Sequence, residues 1–222
     1  MELSELIKRI REDINLIRDR DPAAGSDLEI LLTYSGLHAV LIYRLAHRLH
    51  VHRFKTAARV LSQFGRIVTG IEIHPGAKIG KGLFIDHGAG VVIGETTVIG
   101  DNCILYQGVT LGGTGKGKGK RHPTLGSNVM VCCGAKVLGP FTVGDNAKIA
   151  ANAVVLDAVP ANATAVGVPA RIVRRNGVRV NDLDQIHIPD PVSQELCRQR
   201  AKIEELEKEL SDLKNQKRND IN

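Results

Sequence analysis

The sequence predicts an α+β chain in three parts. These are an N-terminal α-helical domain over 1–70, a parallel β-helix over 71–175, and a C-terminal extension with an amphipathic helix over 176–222. Three observations carry this. Apolar residues at helical spacing fill the first 64 positions. Glycines crowd the middle, 18 of the 23 lying between Gly70 and Gly144. An aliphatic residue returns every six positions over that same stretch. A period of six is neither the 3.6 of a helix nor the 2.0 of a strand. It is one short strand plus one turn; three such units close a triangular coil, and stacked coils bury an aliphatic column.

Leu3, Leu6, Ile7, Ile10, Ile14 and Ile17 form the apolar stripe of a first helix. Asp21-Pro22 ends it, because proline disfavours the helical conformation in the residue before it. Ser26 with Glu29 reads as a capping box for the next helix, and Leu28 to Leu49 is apolar enough to be buried. A shorter segment spans Lys55 to Phe64. Then the repeat begins: Ile73, Ile79, Ile85; Ile93, Ile99, Leu105, Leu111; and Leu125, Val131, Val137, Val143, Ile149, Val155. These positions make about four coils. Glycine follows the aliphatic residue at 80, 94, 100, 112, 126 and 144, where it is expected to form the tight corners. A small or apolar residue recurs four places after the aliphatic one, as at Ala77, Ala89, Cys103, Val109 and Ala135. In the tail, Leu196, Ile203, Leu206, Leu210 and Leu213 keep a gapped heptad spacing.

Composition narrows the function. Lys+Arg number 30 against 24 Asp+Glu, a net charge of +6 that suits small anionic ligands without demanding nucleic acid. A hydrophobic share of 43% excludes a disordered chain. No apolar run approaches the ~20 residues of a membrane span, and Met1-Glu2-Leu3-Ser4-Glu5 is no secretory signal. Cys103, Cys132, Cys133 and Cys197 include no C-x-x-C and read as reduced thiols in a cytoplasmic protein. Aromatics are only 3%, as a narrow aliphatic column requires.

The register breaks twice, with a step of eight from Ile85 to Ile93 and of fourteen from Leu111 to Leu125. Insertions in repeat arrays become protruding loops, so Asp86–Val92 and Gly112–Thr124 are the candidate functional surface. His87 lies in the first break beside Asp86, and imidazole is the usual general base near neutral pH. Glu72 is a second candidate carboxylate partner for it. The second break holds Arg121 and His122 after Lys116, Lys118 and Lys120. Arginine grips a carboxylate or phosphate in a fork. A nucleotide-binding P-loop is rejected, because Gly119 follows Gly117-Lys118 where Ser or Thr is required. The run Leu111 to Gly115 can still turn backbone N–H groups toward an anion or a developing oxyanion. His74, His87 and His122 lack the H-x4-H spacing of a metal-holding pair, so no metal is expected. The basic loop has no aromatic residues for base stacking, which argues against nucleic acid.

These blocks resemble the serine acetyltransferases. Ile71-Glu72-Ile73-His74-Pro75-Gly76-Ala77-Lys78-Ile79-Gly80 is similar to the opening of that family's coil. Ile85-Asp86-His87-Gly88 with Gly94-Glu95-Thr96 matches its D-H…G-E-T block. Gly108-Val109-Thr110-Leu111-Gly112-Gly113-Thr114-Gly115 followed by Arg121-His122-Pro123 matches its most specific block. Val166-Gly167-Val168-Pro169-Ala170-Arg171 matches a closing block shared by many hexapeptide transferases. The short N-terminal region and helical tail look like the shorter bacterial form.

The resemblance implies a left-handed parallel β-helix that moves acetyl from acetyl-CoA to the hydroxyl of L-serine, without a metal, giving the precursor of cysteine. It implies that His87 deprotonates the hydroxyl, with Glu72 where the family often has Asp as the paired acid. Asp86 would hold the substrate. Asp21, in Arg20-Asp21-Pro22, would reach its ammonium from the helical domain. Arg121 would grip its carboxylate, with His122 alongside. Coenzyme A would lie near Gly113, Thr114, Cys133, Lys148 and Ala151. The family also implies feedback inhibition by L-cysteine and a homotrimer with sites between neighbours, with pairing of trimers through the helical domain as a further expectation. A complex with O-acetylserine sulfhydrylase is not expected, because that family contact uses a C-terminal isoleucine and Ile221 is penultimate here. Glu72 is one methylene longer than Asp, and Cys132-Cys133 replaces residues that are usually Gly or Ala. Two other readings stay open at this point: acyl transfer to homoserine or a sugar, and a non-catalytic scaffold.

Overall fold

The computed structural model describes residues 3–115, 117, 119–173 and 198–207. Four helices come first: α1 (Leu3–Arg20), α2 (Asp27–Thr33), α3 (Ser35–Val51) and α4 (Lys55–Thr69). Short strands follow: β1 (Glu72–Ile73), β2 (Lys78–Ile79), β3 (Phe84–Ile85), β4 (Val92–Ile93), β5 (Val98–Ile99), β6 (Ile104–Leu105), β7 (Thr110–Gly112), β8 (Thr124–Leu125), β9 (Met130–Val131), β10 (Lys136–Leu138), β11 (Thr142–Val143), β12 (Lys148–Ile149), β13 (Val154–Val155), β14 (Thr164–Val166) and β15 (Arg171–Val173).

Every third strand stacks on the same wall. The first sheet is β1-β4-β7-β10-β13, the second β2-β5-β8-β11, and the third β3-β6-β9-β12-β14-β15. All pairings are parallel except β14 with β15. Each of the strands β1 to β13 carries one of the six-periodic aliphatics, and register sets like above like: Ile73, Ile93, Leu111, Val137 and Val155 form one such column. The product is a three-sided prism whose axis is filled with Ile, Leu and Val, most of them wholly buried. A fully buried side chain of this size stabilises by about 2 kcal/mol.

The three corners decide where chemistry can occur. The first corner joins the first sheet to the second and includes 94–97 and the 112–123 loop; the second includes 80–83 and 100–103; the third, leading back to the first sheet, includes 86–91 and 132–135. Glycines 80, 100, 126 and 144 open the second corner, but not for the expected reason. The left-handed conformation there is adopted two residues later, at Gly82, Asn102, Asn128 and Asn146, and asparagine tolerates it through its short polar side chain. The glycines supply room instead. A Cβ on Gly100 would lie 2.6 Å from the Gly126 carbonyl, and one on Gly144 would lie 2.4 Å from the Ala161 nitrogen. Ala89 is also reassigned: the eight-residue step leaves it exposed and puts Val91 into the core.

The helices cover one end and one wall. Tyr43 of α3 donates its hydroxyl to the Ala77 carbonyl at 2.7 Å, and Ser62 of α4 donates to the Ile73 carbonyl at 2.8 Å. These contacts close the N-terminal mouth of the prism. Ile14, Ile17, Ile30 and Leu37 pack on Phe84, Ile104, Met130 and Cys132, the outer surface of the third sheet. Outward positions on the first three strands of that wall, Phe84, Ile104 and Met130, are apolar and lie under the helices, whereas Lys148 and Thr164 follow beyond them and the first sheet presents Glu72, Thr110 and Lys136 beside Val92 and Val154. Alternation along each strand makes this difference legible. A fork from Arg44 to Asp13, 2.9 Å for Nη2 to Oδ1, ties α3 to α1.

Two helix expectations change. The segment from Leu28 to Leu49 is broken at Tyr34, where ψ is 99°, and Leu28, Leu31 and Leu32 are exposed. The helix from Lys55 continues past Phe64 to Thr69, and Gly70 ends it in the left-handed conformation with its N–H on the Arg66 carbonyl. In the tail, 198–207 is helical with Ile203 and Leu206 exposed; Leu196, Leu210, Leu213 and Ile221 lie outside the described residues. Among the described residues no single helix is long and apolar enough to cross a membrane. The pair α2 and α3 meets that test only jointly and is bent by 69°.

Candidate active site

The two extra residues of the first register break form a bulge at the third corner. His87 takes a left-handed φ of 54°. Gly88 N–H bonds the Asp86 carbonyl at 2.7 Å, and Ala89 N–H bonds the His87 carbonyl at 2.5 Å. The helical cap holds this bulge, because Gly90 N–H donates to the Gly70 carbonyl just past α4. Gly36 allows α3 to approach it: a Cβ there would fall 2.0 Å from the Ile85 carbonyl oxygen. The His87 side chain is 76% exposed, with Nε2 3.8 Å from Asp86 Oδ1.

Asp21 and Tyr34 complete this group. Asp21, just after α1, accepts Ala23 N–H at 2.8 Å and the Tyr34 hydroxyl at 2.7 Å. Burial raises the Tyr34 phenol to about 12, helped by its bond to Asp21 and by the charges of Asp21, Asp86 and Glu29. Burial likewise raises the Asp86 carboxyl above its ordinary range; His87 opposes this and Asp21 adds to it. Two carboxylates of one neighbourhood beside an open imidazole suit a ligand that brings a positive charge and a proton to be removed. Glu72 is not part of this contact set. Its ion pair is with Arg66 of α4, Nη1 to Oε2 3.3 Å, rather than with His87.

The first corner carries the second group. The 112–123 loop folds back on residues 94–96 of the same corner. Arg121 pairs its guanidinium with Glu95. Lys120 Nζ donates to the Thr96 carbonyl at 2.7 Å and the Pro123 carbonyl at 3.2 Å. His122 is only 9% exposed and packs edge-on over Gly94, where a Cβ would meet its ring carbon Cδ2 at 2.0 Å. Burial lowers its affinity for a second proton, as do Arg121 and Lys120, against the pull of Glu95.

The candidate coenzyme contacts are divided as well. Gly113 and Thr114 are exposed on the first corner, Cys133 and Ala151 lie on the third, and Lys148 is on β12. Cys132 is wholly buried under α1 and α2, and burial pushes its thiol to about 12. It is a packing residue. A cleft of 670 Å³ between α1, α3 and the second sheet, lined by Arg9, Arg44, Lys78, Lys81, Glu12 and Asp101, touches neither group. Among the described residues no cluster of His, Cys, Asp and Glu could hold a metal ion.

So one chain assembles Asp21, Asp86 and His87 at the third corner and Arg121 with His122 at the first, on opposite edges of the first sheet. Sequence reasoning missed Tyr34, Glu95 and Thr96 as parts of the site, and read Lys120 as one of a basic cluster rather than as a donor to the Thr96 carbonyl. The break in the apolar run at Tyr34 was a usable signal; Glu95-Thr96 stood inside a matched block with no role attached.

Family models match two stretches of this chain, and known proteins match most of its length. The profile for the serine acetyltransferase N-terminal region matches residues 1–42, and that for the bacterial transferase hexapeptide (six repeats) matches 122–157. A serine acetyltransferase of Staphylococcus aureus (strain MSSA476) is 54% identical over 211 residues, 95% of each chain. The crystal structure of Neisseria gonorrhoeae serine acetyltransferase in complex with serine superposes with a TM-score of 0.73 at 42% identity, covering 78% of this chain and 70% of that one. The Brucella abortus strain S19 enzyme in complex with coenzyme A gives 0.75 at 44% identity, covering 80% and 71%. With a full-length relative above half identity and the same coil beneath both residue groups, the chain belongs to the serine acetyltransferase family.

Proposed function

We propose that this protein transfers the acetyl group of acetyl-CoA to the hydroxyl of L-serine, giving O-acetyl-L-serine and free coenzyme A on the way to cysteine. The 54% identity to a serine acetyltransferase across 95% of both chains carries the reading. His87 Nε2 removes the serine Oγ proton as the oxygen attacks the thioester carbonyl carbon. The carbonyl electrons move onto oxygen, facing backbone N–H groups of the 111–115 run. When they return, the C–S bond breaks, and the thiolate leaves with the proton that His87 held. Asp21 and Asp86 hold the ammonium; Arg121 and His122 hold the carboxylate; Glu72 would have to leave its ion pair with Arg66 to support the charged imidazole.

The two groups occupy opposite edges of the first sheet, so the third corner of one copy must meet the first corner of another. We place three copies around an axis, with coenzyme A between them along Gly113, Thr114, Cys133, Lys148 and Ala151. The exposed apolar face of α4, Val60, Phe64, Ile67 and Val68, supports assembly at this end of the prism, Ile67 being 81% exposed. The coil is left-handed, the helical domain ends near residue 70, the coil near 175, and the enzyme works in the cytoplasm. L-Cysteine, which differs from serine by sulfur for oxygen, inhibits by occupying the same site, and trimers pair through the helical domain.

A coenzyme-release assay with acetyl-CoA and L-serine, run beside homoserine and with added cysteine, tests the chemistry. Thiol release with serine, suppressed by cysteine, is expected; no release with serine overturns the reading. Light scattering tests the assembly, and a monomer that retains full activity overturns the shared site.

A further inference from the structure

We infer that Thr96 is a positioning residue that locks His122 as a neutral imidazole with its proton on Nε2, turned toward the bound carboxylate. This rests on the proposed role of Arg121 and His122 in holding that carboxylate.

Thr96 sits in a tight turn, closed by Thr97 N–H on the Gly94 carbonyl at 3.2 Å. All three of its polar groups serve the 112–123 loop. Its carbonyl accepts Lys120 Nζ. Its hydroxyl oxygen accepts the backbone N–H of Arg121 at 3.0 Å and of His122 at 3.1 Å. A hydroxyl has two acceptor sites and one donor. With both acceptor sites filled, its hydrogen points to His122 Nδ1, 2.9 Å away. Thr96 N–H converges on the same nitrogen at 3.2 Å. A nitrogen that receives two hydrogens has no room for one of its own. Nδ1 is therefore the bare nitrogen, and the ring proton resides on Nε2.

Nε2 faces the glycine side of the loop. It lies 3.3 Å from where a Cβ on Gly113 would stand and 2.1 Å from where one on Gly94 would stand. Any side chain at either place would block it. The charged groups around the ring are Arg121, Lys120 and Glu95, with His74 further off. Protonating Nδ1 would break both bonds from Thr96, so the clamp and the two nearby cations act in the same direction. The result is a donor of fixed aim that stays uncharged beside Arg121. Arg121 is placed by the same hydroxyl through its backbone N–H, so one oxygen sets the spacing of the pair.

Thr96→Val keeps the shape and removes the hydroxyl; Thr96→Ser keeps the hydroxyl. Long-range proton–nitrogen spectra of the histidine-labelled full chain read the tautomer, with His122→Gln identifying the signal. The expected result is protonated Nε2 and bare Nδ1 in the unmodified enzyme and in Thr96→Ser, with a mixed tautomer in Thr96→Val. The KM for serine should rise about tenfold in Thr96→Val, the scale of one hydrogen bond to a charged ligand, with kcat little changed and Thr96→Ser near normal. A proton on Nδ1 in the unmodified enzyme overturns the proposal. So does Thr96→Val with tautomer and KM both unchanged. If instead His122→Gln leaves the serine KM untouched while the tautomer follows Thr96, the clamp stands and the carboxylate reading fails.

Discussion

His87 and His122 are the same side chain in opposite settings. His87 stands on a left-handed bulge with its ring 76% exposed and its nearest carboxylate 3.8 Å away. His122 is buried, wedged over a glycine, and bonded through Nδ1 to both polar hydrogens of Thr96. A base must gain and lose a proton every turnover, so it needs an unoccupied nitrogen and little to break. A binding group gains from being unable to move or titrate. The two register breaks thus deliver two grades of order: a two-residue bulge leaves its histidine open, and a long loop folds back and cages one.

Removing the open ring should have the largest effect. His87→Ala is expected to lower kcat by about 10²–10⁴, the usual scale for a positioned general base, while the serine KM moves little. Steady-state assays check this, and a KM effect alone would reverse the contrast. At the caged corner, Arg121→Met should raise the serine KM by about 10², as expected for a charge-assisted fork, leaving the acetyl-CoA KM unchanged; a fall in kcat alone would make Arg121 part of the chemistry.

The next effect is on folding. Gly144→Ala pushes a Cβ into the Ala161 backbone and should cost about 1–3 kcal/mol in denaturant melts. Gly117→Ala, in the loop, meets nothing within 4 Å and should be neutral. Equal effects would mean that the coil yields as easily as the loop. Tyr34→Phe, which removes a hydrogen bond to Asp21, should raise the serine KM by roughly fivefold, on the scale of about 1 kcal/mol.

A third imidazole extends the comparison at small amplitude. His74 Nδ1 accepts Gly76 N–H at 2.9 Å, and burial, followed by Arg59, lowers its pKa from 6.5 to about 4. The unfolded chain therefore takes up a proton at a pH where the folded chain does not. This part of the stability is complete above about 6.5 and fades as pH falls toward 4. Melting curves across that window should show a slope that His74→Asn reduces.

The coil was legible because only one architecture repeats at six, and each predicted aliphatic from Ile73 to Val155 sits in a strand. Its glycines were misread because crowding at Gly100 comes from Gly126, a whole coil away, which spacing along one strand cannot display. The G-x-N pattern at 100–102, 126–128 and 144–146 was readable in hindsight as the source of the left-handed turns. In the site, both loops announced themselves as lost register. The contacts that discipline them did not. Thr96 meets Arg121 and His122 only because a long loop returns to the coil it left, and Glu72 meets Arg66 across the helix–coil junction. Tyr34 marks the interruption where the structure splits the apolar run, but its bond to Asp21 lies thirteen residues back, where no spacing rule connects them.

The stacked backbone has a consequence for how such a molecule can change size. Every storey is built like the one below it, so nothing inside the tower counts floors. Adding about eighteen residues, three six-residue units, beyond Val155 would raise the roof and leave each wall facing as before. Adding six would turn everything downstream, β14 and β15 included, by one wall. Growth by whole storeys, with freedom reserved for the balconies, is the only length change this plan accommodates without rebuilding.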